Sequence, residues 1–144
     1  MKRLLLLCAL TACGRDITAP AATIPASATR VTPGAFEQLA LDSARACITR
    51  NGSKPDPNVT VDGIAWYAMP GASFAMPSGA IYEGYSVPGW IVRASGAKDW
   101  LLLTEHELAH QLVLEVIPHS SAFWVPCGWM STGSVGTTFT IPSP

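Results

Sequence analysis

A chain of 144 residues has room for one small domain with a single core. Close to half of the side chains are apolar and 13% are charged, which excludes a disordered chain and fits a packed one. The formal net charge is only −1 and no Lys/Arg run occurs, which argues against a nucleic-acid partner.

Met1-Lys2-Arg3 is a short positive region, and residues 4–10 form an apolar run broken only by Cys8. Spanning a bilayer needs roughly 20 apolar residues, so this run reads as a secretion signal. It ends in Leu10-Thr11-Ala12-Cys13, which resembles the lipobox of bacterial lipoproteins. The resemblance implies a signal peptide over residues 1–12, cleavage before Cys13 and a lipid on that cysteine. The same resemblance to lipoproteins implies, from Gly14 in place of Asp, sorting to the outer membrane with the protein facing the periplasm. The alternatives are an ordinary signal cut elsewhere and a buried apolar N-terminal helix. Loss of Lys2 and Arg3 with the signal leaves seven basic against ten acidic side chains, a net of −3. Residues 13–32 are rich in Ala, Thr, Pro and Ser without a hydrophobic period and read as a tether. Residues 33–144 read as the folded domain. No second long apolar stretch follows, so the lipid is the expected membrane attachment.

Thr32-Pro33 can open a first helix, with Thr as the cap and Pro at the first helical position. Phe36, Leu39, Ala40, Ser43, Ala44, Cys47 and Ile48 recur on one face, and Asn51-Gly52 ends it. A Pro-rich loop follows at 53–58. Strand patterns are predicted within 59–69, at 80–85 and at 90–95, separated by turns at Pro70-Gly71, Pro77-Ser78-Gly79 and Val87-Pro88-Gly89. They predict a small antiparallel or mixed sheet of three strands, with 137–141 as a possible fourth at the edge.

Asp99 can cap a second helix from Trp100 to about Leu112. Leu101, Leu102, Leu103, Leu108, Ala109 and Leu112 surround nearly its whole circumference, which predicts a central, buried helix. Polar groups in such a helix need partners. All three histidines of the chain lie on this helix or just after it. His106-Glu107-Leu108-Ala109-His110 is an H-E-x-x-H run. A helix turns about 100° per residue, so positions four apart lie only about 40° apart on one face. Two imidazoles so placed can reach one Zn²⁺, and the glutamate beside them can act as a base. The alternative is a pair of satisfied core histidines.

His119 is the best third ligand. An unbroken helix would separate it from His110 by about 13 Å along the axis, so the helix must break near residues 112–114. Pro118 and the β-branched Val116-Ile117 allow that return. Glu115 is the rival ligand, although helical geometry turns it about 140° away from His110. Ser120 or Ser121 can cap a short helix that buries Phe123 and Trp124.

Cys47 and Cys127 are the pair left once Cys8 leaves with the signal and Cys13 takes lipid. An exported chain makes a disulfide the natural reading, one that closes a loop worth roughly 4–5 kcal/mol in the chain-entropy model. Two buried thiols, or Cys127 as a zinc ligand, are the alternatives.

The run His106 to His110, together with His119-Ser120-Ser121-Ala122-Phe123, resembles the zincin metallopeptidases, in particular small SprT-like and related minimal zincins. The resemblance implies an α+β zincin-like domain with an N-terminal helix, a three- to four-stranded sheet and a central H-E-x-x-H helix. It implies Zn²⁺ held by His106, His110 and His119, Glu107 as base, and a peptide or protein substrate. It also implies substrate pairing with the strand before the helix, here Trp90, Ile91, Val92 and Arg93 as the substrate-binding stretch. The linker to His119 lacks the glycine of the long zincin motif, whose third ligand would fall on Val116. Tyr82, Tyr85 and Arg93 are candidates to steady an oxyanion. The opposing expectation is a non-catalytic, zinc-stabilised lipoprotein that serves as a binding or structural module.

Overall fold

The structure is a computed structural model that describes residues 23–77, 79–114, 119 and 121–130. The signal, Cys13, Glu115, Ser120 and the strand expected at 137–141 lie outside the described residues.

The described part is α+β, with a four-stranded mixed sheet and two helices. Strand β1 (Thr29–Val31) pairs antiparallel with β2 (Ala65–Met69). It lies in the stretch read as a tether; three residues are too few to show a hydrophobic period, and pairing with β2 and the packing of Val31 on the core order them. A two-stranded ribbon follows, β3 (Phe74–Ala75) with β4 (Ile81–Tyr82). Strand β5 (Gly84–Val87) turns through Pro88-Gly89 into β6 (Trp90–Ala94), which returns antiparallel to β5 and parallel to β2. Gly89 takes a left-handed φ of 93°, which a side chain at this turn would resist. The sheet order is β1-β2-β6-β5.

Helix α1 (Ala35–Arg50) starts two residues later than Thr32-Pro33 suggests. Gly34 is the cap, and its N–H donates to the Glu37 carboxylate at 2.8 Å. The buried face also differs from the expected one: Ala40, Leu41, Ala44 and Ile48 are fully buried, whereas Leu39 is 60% exposed. Glu37, Leu41, Ala44 and Ile48 share that face at spacings of three and four, so a polar anchor at Glu37 sets its rotation.

The two sides of β6 serve different cores, as strand alternation requires. Ile91 joins Trp66, the inner face of α1, Leu108, Ala109 and Leu112 of α2 (Trp100–Val113), and Phe123, Trp124 and Trp129. Val92 and Ala94 face Met69, Phe74, Met76 and Ala97 on the other side. Both helices therefore pack on one face of the sheet, and the β3–β4 ribbon helps to cover the opposite face. Among the described residues no helix is long and apolar enough to cross a membrane.

Helix α2 begins as expected, with the Asp99 carboxylate accepting from Leu102 N–H at 3.0 Å. It is not buried all round, because Leu101 and Leu102 are 40% and 36% exposed. Leu102 and its neighbour Leu103 line a cleft, described below. The helix ends at Val113, and Leu114 reverses the chain with φ 52°. A leucine thus takes the left-handed position that a glycine would fill more cheaply.

The Cys47–Cys127 disulfide is formed, linking the last turn of α1 to the segment after His119. That segment is wound in turns rather than a helix. It still buries Phe123 and Trp124 completely.

Candidate metal centre

One turn of α2 places His106 and His110 with ring centroids 5.0 Å apart. His119, beyond the helix end at Leu114, lies beside them. Nε2 of His110 lies 3.3 Å from Nε2 of His106 and 3.1 Å from Nε2 of His119. The three ligand atoms all fall within 4.8 Å of one another. Two nitrogens at about 2.0–2.1 Å from a tetrahedral zinc lie about 3.3 Å apart, so the two separations measured from His110 fit such an ion. The donor set also fits, since imidazole suits zinc and other late transition metals.

The histidines are oriented from outside. His106 Nδ1 lies 3.2 Å from the main-chain oxygen of Trp129. A carbonyl can only accept, so Nδ1 carries the proton and Nε2 turns its lone pair to the cluster, as metal-binding histidines require. Burial, and then the neighbouring imidazoles, hold the His106 pKa at about 3, so the ring is neutral at physiological pH. The Trp124 ring forms the floor, with centroids 5.1, 4.9 and 4.2 Å from His106, His110 and His119. Trp129 is braced in turn by its Nε1–H, which donates to Glu105 at 3.1 Å.

Glu107 is buried between α2 and β5. Burial pushes its carboxyl up to about 8, against the opposing pull of the Arg93 charge. Its Oε2 has no hydrogen-bond partner among the described residues. A buried carboxyl with an orphaned oxygen is costly to fold around and is expected where a proton must be handled. Glu107, the three histidines and Trp129 all line one cleft of about 320 Å³. Its walls are Leu102 and Leu103 from α2 and Tyr82, Gly84 and Tyr85 from the opposite side.

The stretch Trp90–Arg93 does not have the place expected of it. Strand β6 is paired on one edge with β2 and on the other with β5, so both rows of main-chain groups are occupied. The edge that borders the cleft is that of β5. Arg93 is also committed elsewhere. Its guanidinium is 3% exposed, donates to Glu37 and to Thr104 Oγ1 at 2.7 Å each, and lies between the rings of Trp66 and Trp100. It is a core ion pair joining α1, the sheet and α2. Tyr82 and Tyr85 do reach the cleft wall, and burial raises the Tyr85 pKa, keeping its phenol protonated.

Two contributors escaped the reading of the sequence. One is the Trp129 carbonyl, a main-chain group that no residue type announces. The other is Gln111, next to His110. Its Nε2 donates to Ser86 Oγ at 2.5 Å and to Val87 O at 2.6 Å, and its Oε1 accepts from Gly89 N–H at 3.0 Å. It pins the β5–β6 turn to the helix that carries the histidines. A polar residue within an apolar helix was the available signal. Comparison with family models, curated proteins and solved structures finds no match for this chain.

Proposed function

We propose that the protein is a zinc-dependent metallopeptidase of the zincin type, held in the bacterial cell envelope by a lipid on Cys13. The observation that carries this reading is the convergence of three histidine Nε2 atoms beside a buried carboxyl on the wall of the same cleft. His106, His110 and His119 would hold the ion. When bound, zinc supplies Lewis-acid chemistry, acidifying water and polarising a carbonyl. Glu107 accepts the proton of the attacking water and delivers it to the departing amine. A cation at the three nitrogens favours the charged form of Glu107, countering the effect of its burial. An extended peptide lies along the edge of β5 that no other described strand covers, by strand addition. Its apolar side chains meet Leu102, Leu103, Tyr82 and Tyr85. The chain's own contribution is thus a fixed ligand set, a base and a largely apolar trough.

The test is zinc content and peptide hydrolysis. Wild type should hold about one zinc per chain, lost in His106→Ala, His110→Ala and His119→Ala. Glu107→Gln should remain folded and zinc-loaded while turnover falls roughly 10²–10⁴-fold. Metal-free wild type after zinc-replete purification would end this reading. Zinc-loaded wild type that cleaves nothing in a broad peptide library would leave a non-catalytic binding module.

A further inference from the structure

We infer that the Cys47–Cys127 disulfide positions the metal ligands, so that metal affinity depends on whether this bond is intact; the inference rests on the metal reading above. The segment that completes the site has little regular structure. Residues 121–130 form only turns and bends, closed by Cys127 N–H to Phe123 O at 2.9 Å and Trp129 N–H to Trp124 O at 3.1 Å. Yet both tryptophans of this segment touch the histidines. Trp124 is the floor under all three rings, and Trp129 supplies the carbonyl that orients His106.

Cys127 lies between those two tryptophans, and its bond to Cys47 is the covalent tie of the segment to α1. Helix α1 packs against α2, which carries His106 and His110. The disulfide therefore closes a ring of contacts from α1 through Cys127, Trp124 and His119 to α2 and back. Without it, the covalent link between the turn and α1 is gone, and the contacts that remain, such as core packing and the bonds of Trp129 to His106 and Glu105, are non-covalent. The ligand nitrogens then lose part of their preset arrangement, and binding must supply the missing order. Disturbing the groups that orient metal ligands typically lowers affinity about 10–100-fold. A phosphine with water cleaves the S–S bond: phosphorus is oxidised to the phosphine oxide, while the two sulfurs gain two electrons and two protons and become thiols.

The full chain is titrated with zinc against a chromophoric chelator in three forms: oxidised, phosphine-reduced, and Cys47→Ala/Cys127→Ala. The alanine pair removes the new thiols as ligands. Affinity should fall about 10–100-fold in both opened forms, with far-UV circular dichroism unchanged, and recover when the reduced chain is reoxidised. Equal affinity in oxidised and opened forms overturns the inference alone. Helix loss accompanying zinc loss also overturns it, since the bond would then be a global staple. An oxidised chain that binds no zinc fails the metal reading itself.

Discussion

Gly84 brings main chain and base into contact. A methyl group built on its Cα would lie 2.5 Å from Glu107 Oε1, 2.9 Å from Glu107 Cγ and 2.8 Å from Leu103 Cδ1. Leu103 and Glu107 both line the cleft, so they can make room only by shifting into it. Gly84→Ala should therefore displace the carboxyl and cost about 1–3 kcal/mol through overpacking. Zinc content should hold, since the clash does not involve the histidines, and kcat/KM should drop. Parallel measurement of bound zinc and turnover checks this, and unchanged turnover would detach Glu107 from the chemistry. His106, Glu107 and His110 were legible in the sequence because one helical turn fixes their mutual geometry. The Trp129 carbonyl was not, because a main-chain acceptor has no residue code.

Helix α2 is the element on which the site depends, and its start and end are set by different means. The start is local: Asp99 accepts from Leu102 N–H, as its side chain predicts. Asp99→Ala should cost about 0.5–2 kcal/mol, seen as a lower denaturation midpoint. Zinc affinity should stay within about twofold, because His106 and His110 lie beyond the first turn, to which fraying is confined. A large loss of affinity would show that the first turn helps to hold the site. The end at Leu114 is tertiary. The loop at 53–58 docks there, with Asp56 N–H donating to Leu112 O at 2.7 Å. The requirement that His119 return to His110 predicted a break near residues 112–114, and the structure places it there. The prediction of a helix buried all round failed because Leu102 and Leu103 face a cleft, and the periodicity of a sequence does not separate a core neighbour from a trough.

At the scale of the molecule, the Glu37–Arg93 pair ties α1 to the sheet across 56 positions of sequence. Burial raises the Glu37 carboxyl, but the Arg93 hydrogen bond, the Gly34 N–H and the Arg93 charge outweigh it, and the net pKa lies below 4.5. A lowered folded-state value stabilises above the unfolded value and loses that stabilisation as pH falls through the folded one. Glu37→Gln leaves the Arg93 charge buried without its partner, a loss of about 3–5 kcal/mol at neutral pH. The gap between wild type and variant should begin to close as pH drops below 4.5 and close fully as pH falls through the lower folded-state value, where wild type also loses the charge on Glu37. Denaturant midpoints of both proteins from pH 7 to pH 3, in chelator, test this; a constant gap would mean the pair contributes through packing and not charge.

Sequence alone determined what is local in this protein. The two helices, the Asp99 cap, the turns at Pro70-Gly71 and Pro88-Gly89, the α+β class and the spacing of His106, Glu107 and His110 all follow from periods and residue types within one or two turns of chain. The Cys47–Cys127 pairing was also legible, because the reading of the N-terminus left two cysteines to join. Tertiary structure decided what depends on partners distant in sequence. Among the described strands it placed β6 inside the sheet and β5 at its edge, ordered Thr29–Val31 as a strand against β2, and turned Leu39 outward. It also took Arg93 into a core ion pair and brought the Trp129 carbonyl to His106. The reason is common to these cases: a strand's neighbour, a helix's rotation and a main-chain acceptor are fixed by contacts between segments, and no short window of sequence contains both sides of such a contact.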